Sequence, residues 1–187
     1  MTSEEILGGT VAALTQTGIP YMIVGSFASN LYGVGRATFD IDVVVSATPD
    51  QTKSFLNLLP TTTYYFDLDA ALEASRRKDM FNILDMSGGW KIDIIFQKPS
   101  AYHQQALQRR IVAEIEQVSV FAATAEDTII AKLEWAKMGE SSRQIEDVAG
   151  ILKVRDKTVD RAYVDKWVKE LGLSSQWDRA RSLAGLE

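Results

Sequence analysis

The 187-residue sequence contains no cysteine, a single histidine and four prolines. Without cysteine the chain can form no disulfide, no iron–sulfur centre and no thiol nucleophile. The lone histidine, His103, excludes a histidine-rich zinc site. A metal ion bound by this chain is therefore expected to have oxygen ligands.

The sequence also lacks a long hydrophobic run. No segment has about 18 uninterrupted apolar residues, and the first residues do not form a basic head followed by an apolar stretch. We therefore expect a cytoplasmic protein with no membrane partner.

Basic residues are fewer than acidic ones, and the formal net charge is −5. A basic excess supplies most of the non-specific affinity for long DNA or RNA, so the charge argues against a broad nucleic-acid footprint. Local basic patches such as residues 76–78 would still be able to meet an RNA end or a triphosphate. A hydrophobic content of 46% indicates one compact globular protein, with room for two subdomains.

Two carboxylates interrupt an otherwise apolar strand pattern at residues 39–45. Successive side chains of a strand point to opposite faces, so Asp40, Asp42 and Val44 share one face while the apolar residues at 39, 41, 43 and 45 share the other. Carboxylates in such surroundings are normally neutralised, paired or bound to a metal. Hard oxygen ligands suit Mg²⁺ or Mn²⁺.

A third carboxylate stands in a second strand of the same type. In residues 90–96, the even-numbered positions are apolar and Asp93 lies on the opposite face. Three aspartates from two neighbouring strands would hold a pair of divalent ions about 4 Å apart, an arrangement used for phosphoryl or nucleotidyl transfer.

A strand, a tight turn and a helix start precede the first acidic strand. Residues 21–24 indicate the strand, Gly25 and Ser26 the turn, and residues 27–32 one or two helical turns. Glycine allows close approach of the backbone, and free amides at a helix start favour an anion. The turn would fit a triphosphate.

In their content and order these residues resemble the polymerase-beta-type nucleotidyltransferase superfamily. The resemblance lies in Gly25-Ser26, then Arg36, Thr38, Asp40 and Asp42, and then Lys91-Ile92-Asp93. Within the superfamily the chain is most similar to bacterial minimal nucleotidyltransferases and to abortive-infection type IV toxin nucleotidyltransferases.

The resemblance implies an α+β fold, with a small mixed sheet and flanking helices in a catalytic domain at residues 1–122 and a C-terminal helical bundle at residues 123–187. It implies catalytic and metal-binding roles for Asp40, Asp42 and Asp93, and nucleotide-binding roles for Gly25, Ser26 and Arg36. Thr38 and Lys91 are further candidates.

The C-terminal segments at residues 125–133 and 143–148 also resemble the toxin-like relatives. This looser similarity implies nucleotide binding by Lys132 and makes Asp147 a further candidate. The implied activity is Mg²⁺- or Mn²⁺-dependent transfer of a nucleoside monophosphate from a triphosphate such as ATP to a hydroxyl of RNA, protein or a small alcohol. An antitoxin would be a partner if the chain is a toxin. The alternative is an inactive nucleotide- or partner-binding protein on the same fold.

Structural interpretations of the same residues stay open at the level of sequence. Asp40 and Asp42 would also suit the solvent face of an edge strand paired with Arg36. Gly25-Ser26 is a common turn, and Thr38 would serve structure equally well.

The C-terminal candidates have structural interpretations too. A helical lysine such as Lys132 is often solvated, and Asp147 has Arg143 four residues before it on the same predicted helix. Arg36 suits either a phosphate contact or a salt bridge.

Overall fold

The computed structural model describes residues 1–33, 35–139 and 141–186. In that part of the chain nine helices accompany one mixed sheet of seven strands, which confirms the predicted fold class. The elements in chain order are α1 Ser3–Gln16, β1 Tyr21–Ile23, α2 Gly25–Asn30, β2 Asp40–Val45, α3 Pro49–Asn57, β3 Tyr64–Tyr65, α4 Leu68–Arg77, β4 Met80–Asp85, β5 Lys91–Phe96, α5 Ala101–Arg109, β6 Ile111–Ile115, β7 Val118–Ala122, α6 Ala125–Gly139, α7 Ser142–Arg155, α8 Arg161–Glu170 and α9 Ser174–Ala184.

The strands follow the order β3-β4-β5-β2-β1-β7-β6. The pairs β2–β5 and β1–β7 are parallel, and the other neighbours are antiparallel. The acid-bearing strand β2 therefore lies inside the sheet, and the interpretation of Asp40 and Asp42 as edge-strand residues is wrong.

One face of the central strands forms the core of the sheet. Ile41, Val43 and Val45 of β2 are at most 1% exposed. The same face of β4 and β5 is also buried, through Phe81, Ile83, Ile92, Ile94 and Phe96. Burial of this apolar face is the main driving force for pairing these strands in one register.

Helix starts follow the side-chain chemistry of the sequence. Thr2 and Thr48 form capping boxes with Glu5 and Gln51, which satisfies amides that the first helical turn leaves unpaired. The sequence analysis assigned no element to α5. This helix is capped by Ser100 and buries Tyr102, Ala106 and Leu107.

Contacts within the chain define two compact units. The first unit comprises Met1–Phe27 and Ala37–Ala122, and contains all seven strands. The second comprises Ala28–Arg36 and Ala123–Glu187, so residues 28–36 belong with the C-terminal helices by contact.

The helices of the second unit have their own apolar core. The helix α6 packs on α7, and α7 packs on α9. Ile129 and Leu133 of α6, Val148 and Leu152 of α7 and Val164 of α8 are fully buried. Among the described residues, no helix is both long enough and apolar enough to cross a membrane.

Candidate active site

The solvent-facing side of β2 carries the two predicted acidic residues. Asp40 is exposed and Asp42 is half-buried, whereas their neighbour Ile41 is completely buried on the other face. This alternation was predicted for residues 40–45 and is confirmed. Phe39, which we assigned to the apolar face, is instead 64% exposed and lies beside the Trp90 ring at 5.2 Å between centroids.

The register of the sheet brings the third carboxylate next to the first two. Asp42 pairs with Asp93 in the parallel β2–β5 ladder, and Asp93 pairs with Asn82 in the antiparallel β4–β5 ladder. Directly paired residues share a face. We call Asp40, Asp42 and Asp93 the acid cluster.

Asn82 is a site residue that the sequence analysis missed. Its side-chain amide donates a short hydrogen bond to Oδ1 of Asp93. Asp93 is only 6% exposed, so this bond satisfies one oxygen of a buried carboxylate. The signal in the sequence was a polar residue at an alternating position between Phe81 and Ile83.

Lys91 supplies the positive charge of the acid cluster. Its Nζ lies 2.9 Å from Oδ2 of Asp93 and 3.4 Å from Oδ1 of Asp40. Burial alone would lower the pKa of Lys91, but the hydrogen bond and charge of Asp93, together with Asp40, raise it above its ordinary value. The ammonium form of Lys91 is thus the form that the site stabilises.

Position 25 requires glycine, both because of its backbone angle and because a side chain would not fit there. Its φ is +62°, and a Cβ at this position would lie 1.9 Å from Oδ2 of Asp42. The turn is held against β2 by a hydrogen bond from the Val24 N–H to the Asp42 carbonyl, 2.9 Å long. The following residue, Ser26, is buried. The predicted turn therefore packs directly on an acidic residue of the site.

The donor chemistry of the acid cluster fits a hard divalent cation. Carboxylate oxygens are the ligands that Mg²⁺ and Mn²⁺ prefer. Within the described ranges, however, no three His, Cys, Asp or Glu side chains converge into a ready metal site. Lys91 already holds a positive charge against two of the carboxylates, so this place favours a cation.

Thr38 serves the local backbone. Its Oγ1 accepts a hydrogen bond from the Asp40 N–H at 3.1 Å, just where β2 begins. This contact matches the structural interpretation of Thr38.

A second group of predicted residues lies in the C-terminal unit. Lys132 of α6 donates to Oδ2 of Asp147 at 2.7 Å and to Oε1 of Gln144 at 3.2 Å, both on α7. Nε of Arg36 lies 3.4 Å from Asp147. We call Arg36, Lys132, Gln144 and Asp147 the basic cluster, since two cations surround one carboxylate.

The basic cluster corrects two interpretations made from sequence. The side chain of Lys132 is only 3% exposed, so it is not a solvated lysine. Asp147 binds Lys132 and Arg36, and the suggested pairing with Arg143 is replaced by these contacts. The contact of Arg36 with Asp147 matches its salt-bridge interpretation.

Two polar side chains of the C-terminal unit were missed. Gln144 binds Lys132, and Asn30 holds Arg36 by two hydrogen bonds to its backbone, to the carbonyl at 2.9 Å and from the N–H at 3.1 Å. Neither contact has a local sequence signal, because the partners of Gln144 and Asn30 lie in other elements or loops.

Comparison with known proteins identifies the fold. No protein-family profile matches the sequence, and no curated protein sequence is similar to it. Solved structures of nucleotidyltransferases do match. ANT(2'')-Ia, in complex with adenylyl-2''-tobramycin, has a TM-score of 0.61 at 14% identity, over 95% of this chain and 99% of that one.

Two further structures give similar results. The lincosamide antibiotic adenylyltransferase LnuA, bound to lincomycin, matches with a TM-score of 0.54 at 10% identity, over 82% of this chain and 98% of that one. An antigenic nucleotidyltransferase-like protein from Paracoccidioides brasiliensis matches with a TM-score of 0.54 at 15% identity, over 98% of this chain and 92% of that one. The chain therefore has the fold of nucleotidyltransferases.

Proposed function

We propose that this protein is a metal-dependent nucleotidyltransferase that moves a nucleoside monophosphate from a triphosphate to an acceptor hydroxyl. The observation that supports it most is the acid cluster: three carboxylates on the open face of two adjacent parallel strands, in a fold shared with nucleotidyltransferases. Asp40, Asp42 and Asp93 are the proposed metal ligands. Bound Mg²⁺ or Mn²⁺ would neutralise phosphate charge and make the acceptor hydroxyl more acidic.

The reaction assigns a distinct task to Asp93. The acceptor oxygen attacks the α-phosphorus, the bond between that phosphorus and the bridging oxygen to the β-phosphate breaks, and pyrophosphate leaves. The proton of the acceptor hydroxyl passes to a carboxylate oxygen of Asp93. Asn82 orients this carboxylate through its other oxygen, so that the base is held before the substrate arrives.

The proposed nucleotide-binding residues are the ones that the resemblance to nucleotidyltransferases implies. Gly25 and Ser26 are proposed to bind phosphate oxygens, and the close packing of Gly25 on Asp42 supports a fixed turn. Arg36 and Lys132 are proposed to contact the nucleotide, and the position of these two cations around Asp147 supports this. Asp147 would position Lys132. We propose ATP as the donor, because ANT(2'')-Ia was solved with an adenylylated product and LnuA is an adenylyltransferase.

For the acceptor we propose a small alcohol. The structure of ANT(2'')-Ia contains adenylyl-2''-tobramycin, and that of LnuA contains lincomycin. The net charge of −5 also favours a small acceptor over long RNA. Transfer to an RNA end or a protein hydroxyl, as in a toxin that needs an antitoxin partner, is the competing outcome.

The test begins with calorimetric titration of ATP, GTP, CTP and UTP with and without Mg²⁺. Asp40→Asn is compared with the matched control Asp69→Asn, which makes the same change at an exposed position of α4. We expect Mg²⁺-dependent ATP binding that is lost only in Asp40→Asn. Absence of triphosphate binding would contradict the proposal and favour the inactive partner-binding alternative.

The acceptor is tested with labelled ATP and pyrophosphate release. Small alcohols, total RNA and total protein are offered in parallel, and growth is followed on expression in bacteria. Label in a small alcohol without growth arrest supports the proposal. Label in RNA or protein together with growth arrest would instead support a toxin.

A further inference from the structure

The position of Lys91 is fixed by two neighbouring strands. It lies opposite Asp40 in the parallel ladder, and its N–H donates to the Phe39 carbonyl at 3.0 Å. Because strand side chains alternate, Lys91 shares a face with Asp93, two residues later. The backbone thus aims the Lys91 side chain along the acid cluster.

Each oxygen of Asp93 has its own donor. Asn82 donates to Oδ1, and the Lys91 ammonium donates to Oδ2 at 2.9 Å. The same ammonium lies 3.4 Å from Asp40. A divalent ion that binds Oδ1 of Asp40 and Oδ2 of Asp93 competes with Lys91 for these two oxygens, since Asn82 already donates to the other oxygen of Asp93.

Without a counterion the acid cluster would be costly. The side chain of Asp93 is 8% exposed, and Asp42 is its direct neighbour in the ladder. Two neighbouring carboxylates repel each other, and burial disfavours the charged form of Asp93. Both effects destabilise a folded state in which the acid cluster is ionised. Lys91 removes that cost as long as its ammonium stays in place.

We infer that Lys91 is the resting counterion of the acid cluster, which the divalent ion displaces from Asp40 and Asp93. This inference rests on the proposed metal-dependent function. Lys91 keeps the carboxylates assembled before the metal ion arrives and lowers the affinity for that ion. It is a positioning residue that limits metal binding.

The direct test is titration of Mn²⁺ without nucleotide, followed by the electron paramagnetic resonance signal of free Mn²⁺. Lys91→Met removes the charge and keeps a long side chain, and Lys98→Met makes the same change at an exposed position after β5. Removal of an adjacent competing charge should tighten Mn²⁺ binding about tenfold in Lys91→Met. Lys98→Met should bind as the unmodified protein does.

Thermal unfolding separates this role from a merely structural one. In EDTA, Lys91→Met should unfold at a lower temperature than the unmodified protein, and Mn²⁺ should restore the difference. A lysine needed only for packing would lower the unfolding temperature with or without Mn²⁺ and would leave the Mn²⁺ affinity unchanged. That pattern would overturn the inference, as would equal tightening in Lys98→Met.

A measurement on the unmodified protein is independent of whether the variant folds. Lys91 is labelled with an amine-acetylating reagent and quantified by mass spectrometry. Added Mn²⁺ should increase labelling of Lys91 relative to Lys98, because the ammonium leaves its carboxylates. Unchanged or reduced labelling would contradict displacement.

The same titrations distinguish the two proposals. If Asp40→Asn abolishes Mn²⁺ binding but Lys91→Met leaves it unchanged, the counterion role is wrong and the metal site stands. If Asp40→Asn and the unmodified protein bind Mn²⁺ equally, or neither binds, the proposed function fails together with the inference.

Discussion

The acid cluster and the basic cluster both bring charged side chains together, but in opposite proportions of carboxylates and cations. In the acid cluster the Lys91 ammonium contacts two of the three carboxylates, those of Asp40 and Asp93. In the basic cluster one carboxylate, that of Asp147, is shared by Lys132 and Arg36. Among the named residues, carboxylates therefore outnumber cations in the first cluster, and cations outnumber carboxylates in the second.

The two clusters also differ in burial, and burial decides whether an ion from solvent can reach the charged groups. The acid cluster lies on a sheet face with Asp40 exposed, so a cation from solvent can reach it. In the basic cluster the Lys132 side chain is 3% exposed and its ammonium contacts Asp147 at 2.7 Å. Loss of a carboxylate should therefore affect reactivity in the first cluster and folding in the second.

Asp93→Asn should have the largest effect on activity. Loss of the proposed base should reduce transfer roughly 10²- to 10⁴-fold. The free energy of unfolding should change little, because the substitution also removes repulsion from Asp42. Initial rates of pyrophosphate release and denaturant unfolding measure the two effects, with Asp69→Asn as the control. Retained turnover would remove Asp93 from the mechanism.

Asp147→Asn makes the same chemical change in the basic cluster. It should affect the free energy of unfolding more than the activity. It removes the negative charge that the buried Lys132 ammonium contacts at 2.7 Å, so we expect a loss of about 3–5 kcal/mol in the free energy of unfolding. Denaturant unfolding measures this loss. The double variant with Lys132→Met should recover much of it, because the uncompensated charge is gone. No recovery would contradict charge pairing as the cause.

Gly25→Ala perturbs the acid cluster through the backbone. A left-handed residue other than glycine costs about 1–3 kcal/mol, and the new Cβ would also displace Asp42. Gly18→Ala is the matched control, because Gly18 has a φ of +64° and its Cβ would meet nothing within 4 Å. Both variants should lose stability in chemical unfolding, but only Gly25→Ala should lose Mn²⁺ binding. Equal Mn²⁺ affinity in the two would disprove the role of the Gly25–Asp42 contact.

Asp85 lies outside both clusters, and Asp85→Asn extends the comparison to an aspartate with a purely structural role. Asp85 is 3% exposed at the end of β4 and accepts hydrogen bonds from the Ser87 N–H and hydroxyl and from the Gly88 N–H. Burial tends to raise the pKa of Asp85, but these hydrogen bonds hold it below its ordinary value of 3.8. Asp85→Asn should cost about 1–3 kcal/mol near neutral pH.

The pH dependence checks this assignment. A lowered pKa stabilises the fold above pH 3.8, and that contribution is lost as the pH falls through the folded-state pKa. The stability difference between the unmodified protein and Asp85→Asn should therefore shrink in acid. A difference that stays constant down to pH 2 would attribute the loss to hydrogen-bond geometry alone.

Much of the fold was predictable because its signals are local. The alternation in residues 40–45 indicated both the strand and its open face, and threonine caps at positions 2 and 48 mark helix starts. The helix α5 was missed, since its first turn holds no acidic residue and only Tyr102, Ala106 and Leu107 are buried. Phe39 was misplaced because alternation cannot tell that β2 begins only at Asp40.

The shared open face of Asp40, Asp42 and Asp93 was predictable from strand alternation, but the contacts of these side chains were not. Asn82 looks like any polar residue on the open face of a strand until the register sets it opposite Asp93. Lys132 and Arg36 lie 15 and 111 residues from Asp147 in the sequence. No local pattern links residues at such separations.

The sequence by itself determined which side of β2 and β5 is acidic, because strand alternation is a property of the local backbone. Only the tertiary structure decided that Asp42 meets Asp93, that Lys91 serves two carboxylates, and that Lys132 is buried against Asp147. Many registers satisfy the backbone hydrogen bonds of a strand pair equally well. Burial of the apolar face selects one of them, and with it the side chains that meet on the opposite face.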